Sequence, residues 1–221
     1  MNYRLVTTAQ PVINYLSTSI IDHVMRGERV LWLVSGGSNI EISVAVAKTL
    51  KDIPADTLFI SLTDERFGAV GHVYENWQQL FDAGFSVPGA TLYRPLIGKS
   101  RRETTEAFDS WLGTQLGQAD YSIGLFGIGS DGHTAGIKPG SPSTGAKGWV
   151  TAYTASDFER ITMTFDAIRR LDEVVVQTIN PDKTPVIIDL LHADILLDSQ
   201  PAQVLKLVKK STLFTDYKEI N

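Results

Sequence analysis

Short apolar runs and stretches of helical periodicity alternate along this chain, and that alternation is what most limits the folds open to it. Residues 11–26 place Val12, Ile13, Leu16, Ile20 and Val24 at helical spacing and run into Gly27, a residue suited to closing a helix. A β-type run over 29–34 follows, then a helix over 40–50 with Asn39 as its N-cap. Strands over 57–62 and 121–126 flank a helix over 100–116, which opens with Ser100 and Glu103 in a capping-box arrangement. Later strands are read at 161–165, 174–179 and 212–217, with helices near 185–191 and 201–210. This order predicts an α/β fold with a mainly parallel, twisted sheet covered by helices on both faces. No internal repeat or low-complexity linker interrupts it, so residues 1–221 read as a single domain.

Composition narrows the function classes. A net charge of −5 leaves no electrostatic footprint for nucleic acid. The absence of cysteine removes disulfides, Cys-ligated zinc and thiol catalysis. No signal peptide and no apolar run of membrane-spanning length is visible, so a soluble, cytoplasmic protein without a membrane partner is expected.

Three polar clusters fall just after three of the predicted strands. In a parallel sheet the carboxyl ends share one edge, so these clusters are expected to converge. The first, Ser35-Gly36-Gly37-Ser38, joins a strand to a helix. Backbone N–H groups there suit a phosphate, with hydroxyls to help, although the same residues make an ordinary tight turn. The Gly-Lys-Ser/Thr ending of a Walker loop is missing. The second is Asp64-Glu65-Arg66, followed by His72, Glu75 and Asn76. It offers acceptors for sugar hydroxyls and an arginine fork for an anion, or simply a solvated turn. The third, residues 127–140, packs Gly127, Gly129, Gly132, Gly136 and Gly140 around Asp131 and His133. Its G-x-G-x-x-G spacing is not a dinucleotide fingerprint, because Pro139-Gly140-Ser141-Pro142 stops any helix that would follow. An acid and an imidazole in a glycine-rich loop after a central strand point to proton transfer on a small molecule. Arg160, at the start of a strand, and Lys183 are further cations able to meet a phosphate or to stand on the surface.

Taken in order, Ser35-Gly36-Gly37-Ser38, Asp64-Glu65-Arg66 with His72 and Asn76, the 127–140 run and Arg160-Ile161-Thr162 resemble the 6-phosphogluconolactonases. The resemblance spans residues 31–216, and the broader family also holds the glucosamine-6-phosphate deaminases. It implies a Rossmann-like hydrolase of the pentose phosphate pathway that opens 6-phospho-D-glucono-1,5-lactone without metal or organic cofactor. By similarity His133 is the general base, Asp131 orients or polarises the site, and Arg66 binds substrate and developing charge. Ser35, Gly36, Gly37 and Ser38, with Asp64, Arg160 and Lys183, would hold the sugar phosphate. The implied partner is that small molecule alone, on a monomer or homodimer.

Some positions depart from the family pattern. Asn39 and Ile40 replace a Thr-Pro pair, and Glu75 replaces a serine. Asn180-Pro181-Asp182-Lys183 replaces Gly-x-x-Lys, and Lys138 stands where the lactonases carry an aromatic. The deaminases carry a glutamate at that last position, which serves ring opening. Two rivals follow: a deaminase-like isomerase, which Lys138 argues against, and a non-catalytic sugar-phosphate sensor, which Asp131 and His133 argue against.

Overall fold

Seven strands form one all-parallel sheet in the computed structural model, which describes residues 1–218; the last three residues of the predicted domain lie outside the described residues. In spatial order these are β1 (Asn2–Leu5), β10 (Lys210–Thr215), β9 (Glu173–Thr178), β6 (Tyr121–Phe126), β2 (Val30–Val34), β3 (Leu58–Leu62) and β5 (Thr91–Leu92). Successive side chains of a strand point to opposite faces. Val30, Trp32 and Val34 therefore join one core and Leu31 and Leu33 the other. The first core is closed by α1 (Gln10–Met25), α2 (Ile40–Thr49) and α3 (Asn76–Asp82). The second is closed by α4 (Arg101–Gln118), α5 (Phe165–Arg170) and α6 (Thr184–His192). Both faces are covered, as the alternation predicts.

Local rules explain the elements. Val12, Leu16, Ile20 and Val24 recur every fourth residue and form the buried stripe of α1. Full burial of each Leu or Ile there contributes about 1.5–3 kcal/mol. The capping box of α4 forms: Ser100 accepts from the Glu103 backbone N–H, and the Glu103 carboxylate accepts from that of Ser100. No helix among the described residues is long and apolar enough to cross a membrane.

The structure corrects several sequence expectations. The strand read at 161–165 is β8 (Glu159–Met163), and it lies outside the main sheet. It pairs antiparallel with β4 (Asp64–Arg66) and β7 (Val150–Thr154). It ends early because Thr164 caps α5, accepting from the Ala167 N–H. Residues Pro201–Leu207 wind as a 3-10 helix, not an α-helix. Five consecutive residues from Pro201 to Leu205 are buried there, so no polar face exists to sustain an amphipathic helix. Asn39 precedes α2 but does not cap it with its side chain. The strand read at 212–217 starts two residues sooner, in register with β9 and β1.

From β2 the chain moves outward to β3 and β5, then returns to place β6 on the other side of β2. The loops that follow β2 and β6 therefore part at the carboxyl edge of the sheet. That divergence opens a crevice where ligands of open α/β sheets bind.

Candidate active site

A cleft of about 430 Å³ occupies this crevice. The loop Ser35–Ser38, Asp64, Arg66, His133, Arg160 and Lys183 all line it. Residues separated by nearly 150 positions are thus brought together by the parallel topology. Asp131 alone among the predicted site residues is not in the lining, and it touches the lining residue His133.

The loop after β6 is a tight reversal. Ile128 bridges Thr134, the Gly129 N–H donates to the His133 carbonyl at 2.9 Å, and the Thr134 hydroxyl donates to the Gly127 carbonyl at 2.9 Å. Asp131 and His133 stand at its tip. Nδ1 of His133 is 2.6 Å from Oδ1 of Asp131, and the same oxygen accepts the His133 backbone N–H at 3.1 Å. Burial pushes the Asp131 carboxyl up, but the His133 N–H and imidazole outweigh it and hold the group below its usual value. An ionised Asp131 accepts a hydrogen bond from Nδ1–H and leaves Nε2 as the acceptor nitrogen. Gly129 is required by close approach, since a Cβ there would lie 2.0 Å from His133 Nδ1. Ala135, with φ of 49°, is the one non-glycine residue with positive φ among those described. It follows His133 by two residues and lines the same cleft.

Opposite, the Ser35–Ser38 loop passes into a 3-10 turn (Gly37–Asn39) and then α2. The first N–H groups of such a turn lack intrahelical partners and favour an anion. Asn39 is buried, and its Nδ2 donates to Ser35 Oγ at 2.8 Å, leaving the Ser35 proton free to donate. A Cβ on Gly36 would lie 2.0 Å from Oδ1 of Asn76, so that glycine lets the loop sit against the asparagine. Asn76 is held by Nδ2 donating to the Asp64 carbonyl at 2.8 Å. Oδ1 of Asn39 and Oδ1 of Asn76 are buried without a protein partner. Both residues line the cleft and present acceptors suited to hydroxyl groups.

Strand alternation divides the second cluster. Asp64 and Arg66 face the cleft, while Glu65 points the other way and is fully buried. Its carboxylate accepts backbone N–H groups of Asn76 at 2.6 Å, Arg66 at 2.8 Å and Trp77 at 3.2 Å, tying β4 to α3. Burial pushes that carboxyl up to about 8, against the pull of those three donors. Glu75 is also buried, paired with Arg94 at 2.5 and 2.7 Å, and outside the lining. Its charge therefore does not oppose an anionic ligand. His72 binds the Arg66 carbonyl through Nε2 at 3.0 Å and does not line the cleft.

The cations differ in their commitments. Arg160 is engaged by Asp157 and Asp64. Arg66 and Lys183 make no ion pair with a carboxylate among the described residues. Burial lowers the Lys183 ammonium below its usual value, so an arriving anion would restore what desolvation removed. Lys138 is bound to Asp157 at 2.9 Å. Sequence reasoning missed Asp157 and Phe158, which line the cleft from the turn between β7 and β8. The Phe158 ring lies 5.4 Å from the Arg66 guanidinium and 5.8 Å from that of Arg160.

A second cleft of about 430 Å³ opens at the amino ends of the strands. Its buried acid, Glu173, is consumed by Tyr15 at 2.6 Å, Tyr121 at 2.5 Å and Lys210 at 2.9 Å. Unlike the second, the first cleft sets an acid-paired imidazole beside Arg66 and Lys183, which lack carboxylate partners among the described residues. Among the described residues, no group of three or more His, Asp or Glu side chains is placed to hold a metal.

Residues 6–214 match the model of a family described as glucosamine-6-phosphate isomerases/6-phosphogluconolactonase. Among solved structures, a 6-phosphogluconolactonase from Shewanella baltica is 17% identical, with 97% of each chain covered and a TM-score of 0.80. One from Thermotoga maritima is also 17% identical, covering 97% of this chain and 98% of that one at a TM-score of 0.79. A monomeric glucosamine-6-phosphate deaminase is 16% identical, with 97% of each chain covered and a TM-score of 0.80. At such identities the likeness is one of fold, shared by both activities. Nothing among curated proteins matches the chain.

Proposed function

Because the chain belongs to the glucosamine-6-phosphate isomerase/6-phosphogluconolactonase family, we propose that it hydrolyses 6-phospho-D-glucono-1,5-lactone to 6-phosphogluconate, with His133 as general base. The observation that carries this reading is the 2.6 Å contact between Asp131 and His133 Nδ1 on the wall of a cationic cleft. With Nδ1 committed, Nε2 takes a proton from water as the water oxygen bonds to the lactone carbonyl carbon. The carbonyl oxygen becomes an oxyanion, which the Arg66 guanidinium stabilises. Collapse of this intermediate breaks the bond to the ring oxygen, and the His133 imidazolium returns its proton to that oxygen. The phosphate is held by the Ser35–Ser38 loop with Arg160 and Lys183, while Asp64, Asn39 and Asn76 take sugar hydroxyls. Anchoring the remote dianion fixes the carbonyl against the base, which suits an intrinsically easy hydrolysis. Water and side chains suffice for every step.

The deaminase alternative lacks support at position 138, where a lysine bound to Asp157 stands in place of a glutamate. The test follows 6-phosphogluconate formation from fresh lactone above the spontaneous rate, for wild type and His133→Ala together. Acceleration by wild type that is lost in the variant is expected. A folded wild type that leaves the lactone rate unchanged but releases ammonia from glucosamine 6-phosphate would overturn the proposal.

A further inference from the structure

Arg160 is the most buried cation of the cleft, its side chain 7% exposed, and carboxylates of the protein already occupy it. Nη2 lies 2.8 Å from Oδ2 of Asp157, and Nε lies 3.4 Å from Oδ1. Nη1 stands 3.8 Å from Asp64. Asp64 belongs to a strand, but Asp157 sits on the turn between β7 and β8, closed by the Ala155 N–H donating to the Phe158 carbonyl at 2.9 Å. Asp157 is also shared. Its Oδ2 accepts from Lys138 Nζ at 2.9 Å, so one carboxylate bridges a cation within the cleft and one outside its lining.

A phosphate and a carboxylate make the same two-pronged contact with a guanidinium. Asp157 thus holds the edge of Arg160 that a ligand phosphate would take. We propose that Asp157 is a built-in competitor that a phosphate displaces from Arg160 onto Lys138, restricting the cleft to ligands whose anionic end outweighs a carboxylate. This inference rests on the phosphate-binding reading of the cleft. A phosphate dianion prevails over a single carboxylate because its attraction to the same cation scales with its charge. A neutral sugar has no means of dislodging Asp157. The displaced carboxylate is not stranded, since Lys138 keeps it paired, and breaking an ion pair from one side is what makes such exchanges unfavourable. Burial pushes the Asp157 carboxyl up, but Arg160 and Lys138 hold it well below its usual value, so the competitor is charged at neutral pH. Lys138, the departure hardest to place from sequence, thereby acquires a role.

Inorganic phosphate titrated calorimetrically into wild type, Asp157→Asn, Lys138→Met and the double variant tests this. Asp157→Asn is expected to bind phosphate about tenfold tighter, and Lys138→Met about tenfold weaker, the size of effect typical of adding or removing a neighbouring charge. With asparagine at position 157, Lys138→Met should no longer matter. Asp157→Ser gives a second test of the same turn should the asparagine variant fold poorly. Phosphate binding by Asp157→Asn that is equal to or weaker than wild type overturns the competitor. Equal loss from Lys138→Met in both backgrounds makes Lys138 a direct ligand and overturns the exchange, as does a Lys138→Met protein that binds like wild type. If neither wild type nor Asp157→Asn binds phosphate while both melt cooperatively, the phosphate reading of the cleft itself falls.

Discussion

Gly129→Ala should separate catalysis from folding. An added Cβ would lie 2.0 Å from His133 Nδ1, 2.2 Å from Cε1 and 2.6 Å from Asp131 Oδ1. Carbon contacts are comfortable only from about 3.5 Å, so the ring must retreat by about 1.5 Å. The Asp131 oxygen, 2.6 Å from the same Cβ, must give way as well, and retreat of both groups from one added atom stretches their 2.6 Å contact past hydrogen-bonding range. The ring ends a flexible side chain at the surface of the loop, so it can yield without disturbing the core. The Gly129 backbone also lies outside the left-handed region, which makes alanine an unstrained replacement. Stability should therefore hold or rise, by at most about 1 kcal/mol through a less flexible unfolded chain. Displacing a reacting group by about 1 Å can lower a rate about 10²-fold, equivalent to about 2.7 kcal/mol in the barrier. The expected result is a kcat on the lactone lowered by about that factor with KM changed little, and an unshifted melting temperature. Gly117→Ala is the control, since a Cβ there meets nothing within 4 Å. Activity of Gly129→Ala within about threefold of wild type, alongside an inactive His133→Ala, would refute the claim that the Asp131 contact positions the base.

Three further substitutions probe the supports of the site. Asp131→Asn keeps the shape but removes the charge that orients His133, so kcat should fall about 10²-fold in steady-state assays while KM stays near wild type. Because the folded protein holds the Asp131 carboxyl below its ordinary 3.8, the pair stabilises above that pH and loses its effect as pH falls through the depressed value. The melting-temperature gap between wild type and Asp131→Asn should therefore close in acid, from no more than about 1 kcal/mol at neutrality. Gly36→Ala places a Cβ 2.0 Å from Asn76 Oδ1, and Asn76 is tied to Asp64 and Glu65. The loop must move instead, so KM and the phosphate affinity should each worsen about tenfold, with a smaller change in kcat. Glu65→Gln keeps an oxygen for the Asn76 and Arg66 N–H groups but turns its amide nitrogen to the buried Trp77 N–H, which loses its acceptor, and chemical denaturation should report a loss of about 1–3 kcal/mol.

What the sequence made legible was whatever sits next to a strong local signal. The loops after β2 and β6 were found because each follows an apolar run, and their meeting followed from a parallel sheet. Contributions from weak local signals were missed. Asp157 and Phe158 lie on an exposed turn that reads as any solvated hairpin, and only the pairing of β7 with β8 and of β8 with β4 carries them to the cleft. β1 is short and mostly exposed, and its partner β10 lies some two hundred residues away. Asp64, Glu65 and Arg66 looked like one cluster, yet the two-residue period of β4 sends Glu65 into the interior while its neighbours face the cleft. The alternation was in the sequence, but a three-residue strand is too short to announce it.

The same geometry shows how tightly the parts of the cleft depend on one another. Its working parts come in interlocked pairs. Gly36 is bare because Asn76 fills the space of its side chain, and Gly129 is bare because His133 does. Each of those polar residues is in turn held by an acid, Asn76 through its backbone N–H by Glu65 and His133 by Asp131. Changing one member of a pair breaks it, whereas most other positions need only remain apolar inside or polar outside. Lys138 and Asp157 obey the same logic, since the lysine is accommodated where a carboxylate stands 2.9 Å away. Substitutions at this site are therefore best read by what each side chain touches, because a departure isolated in sequence is half of a contact in the fold.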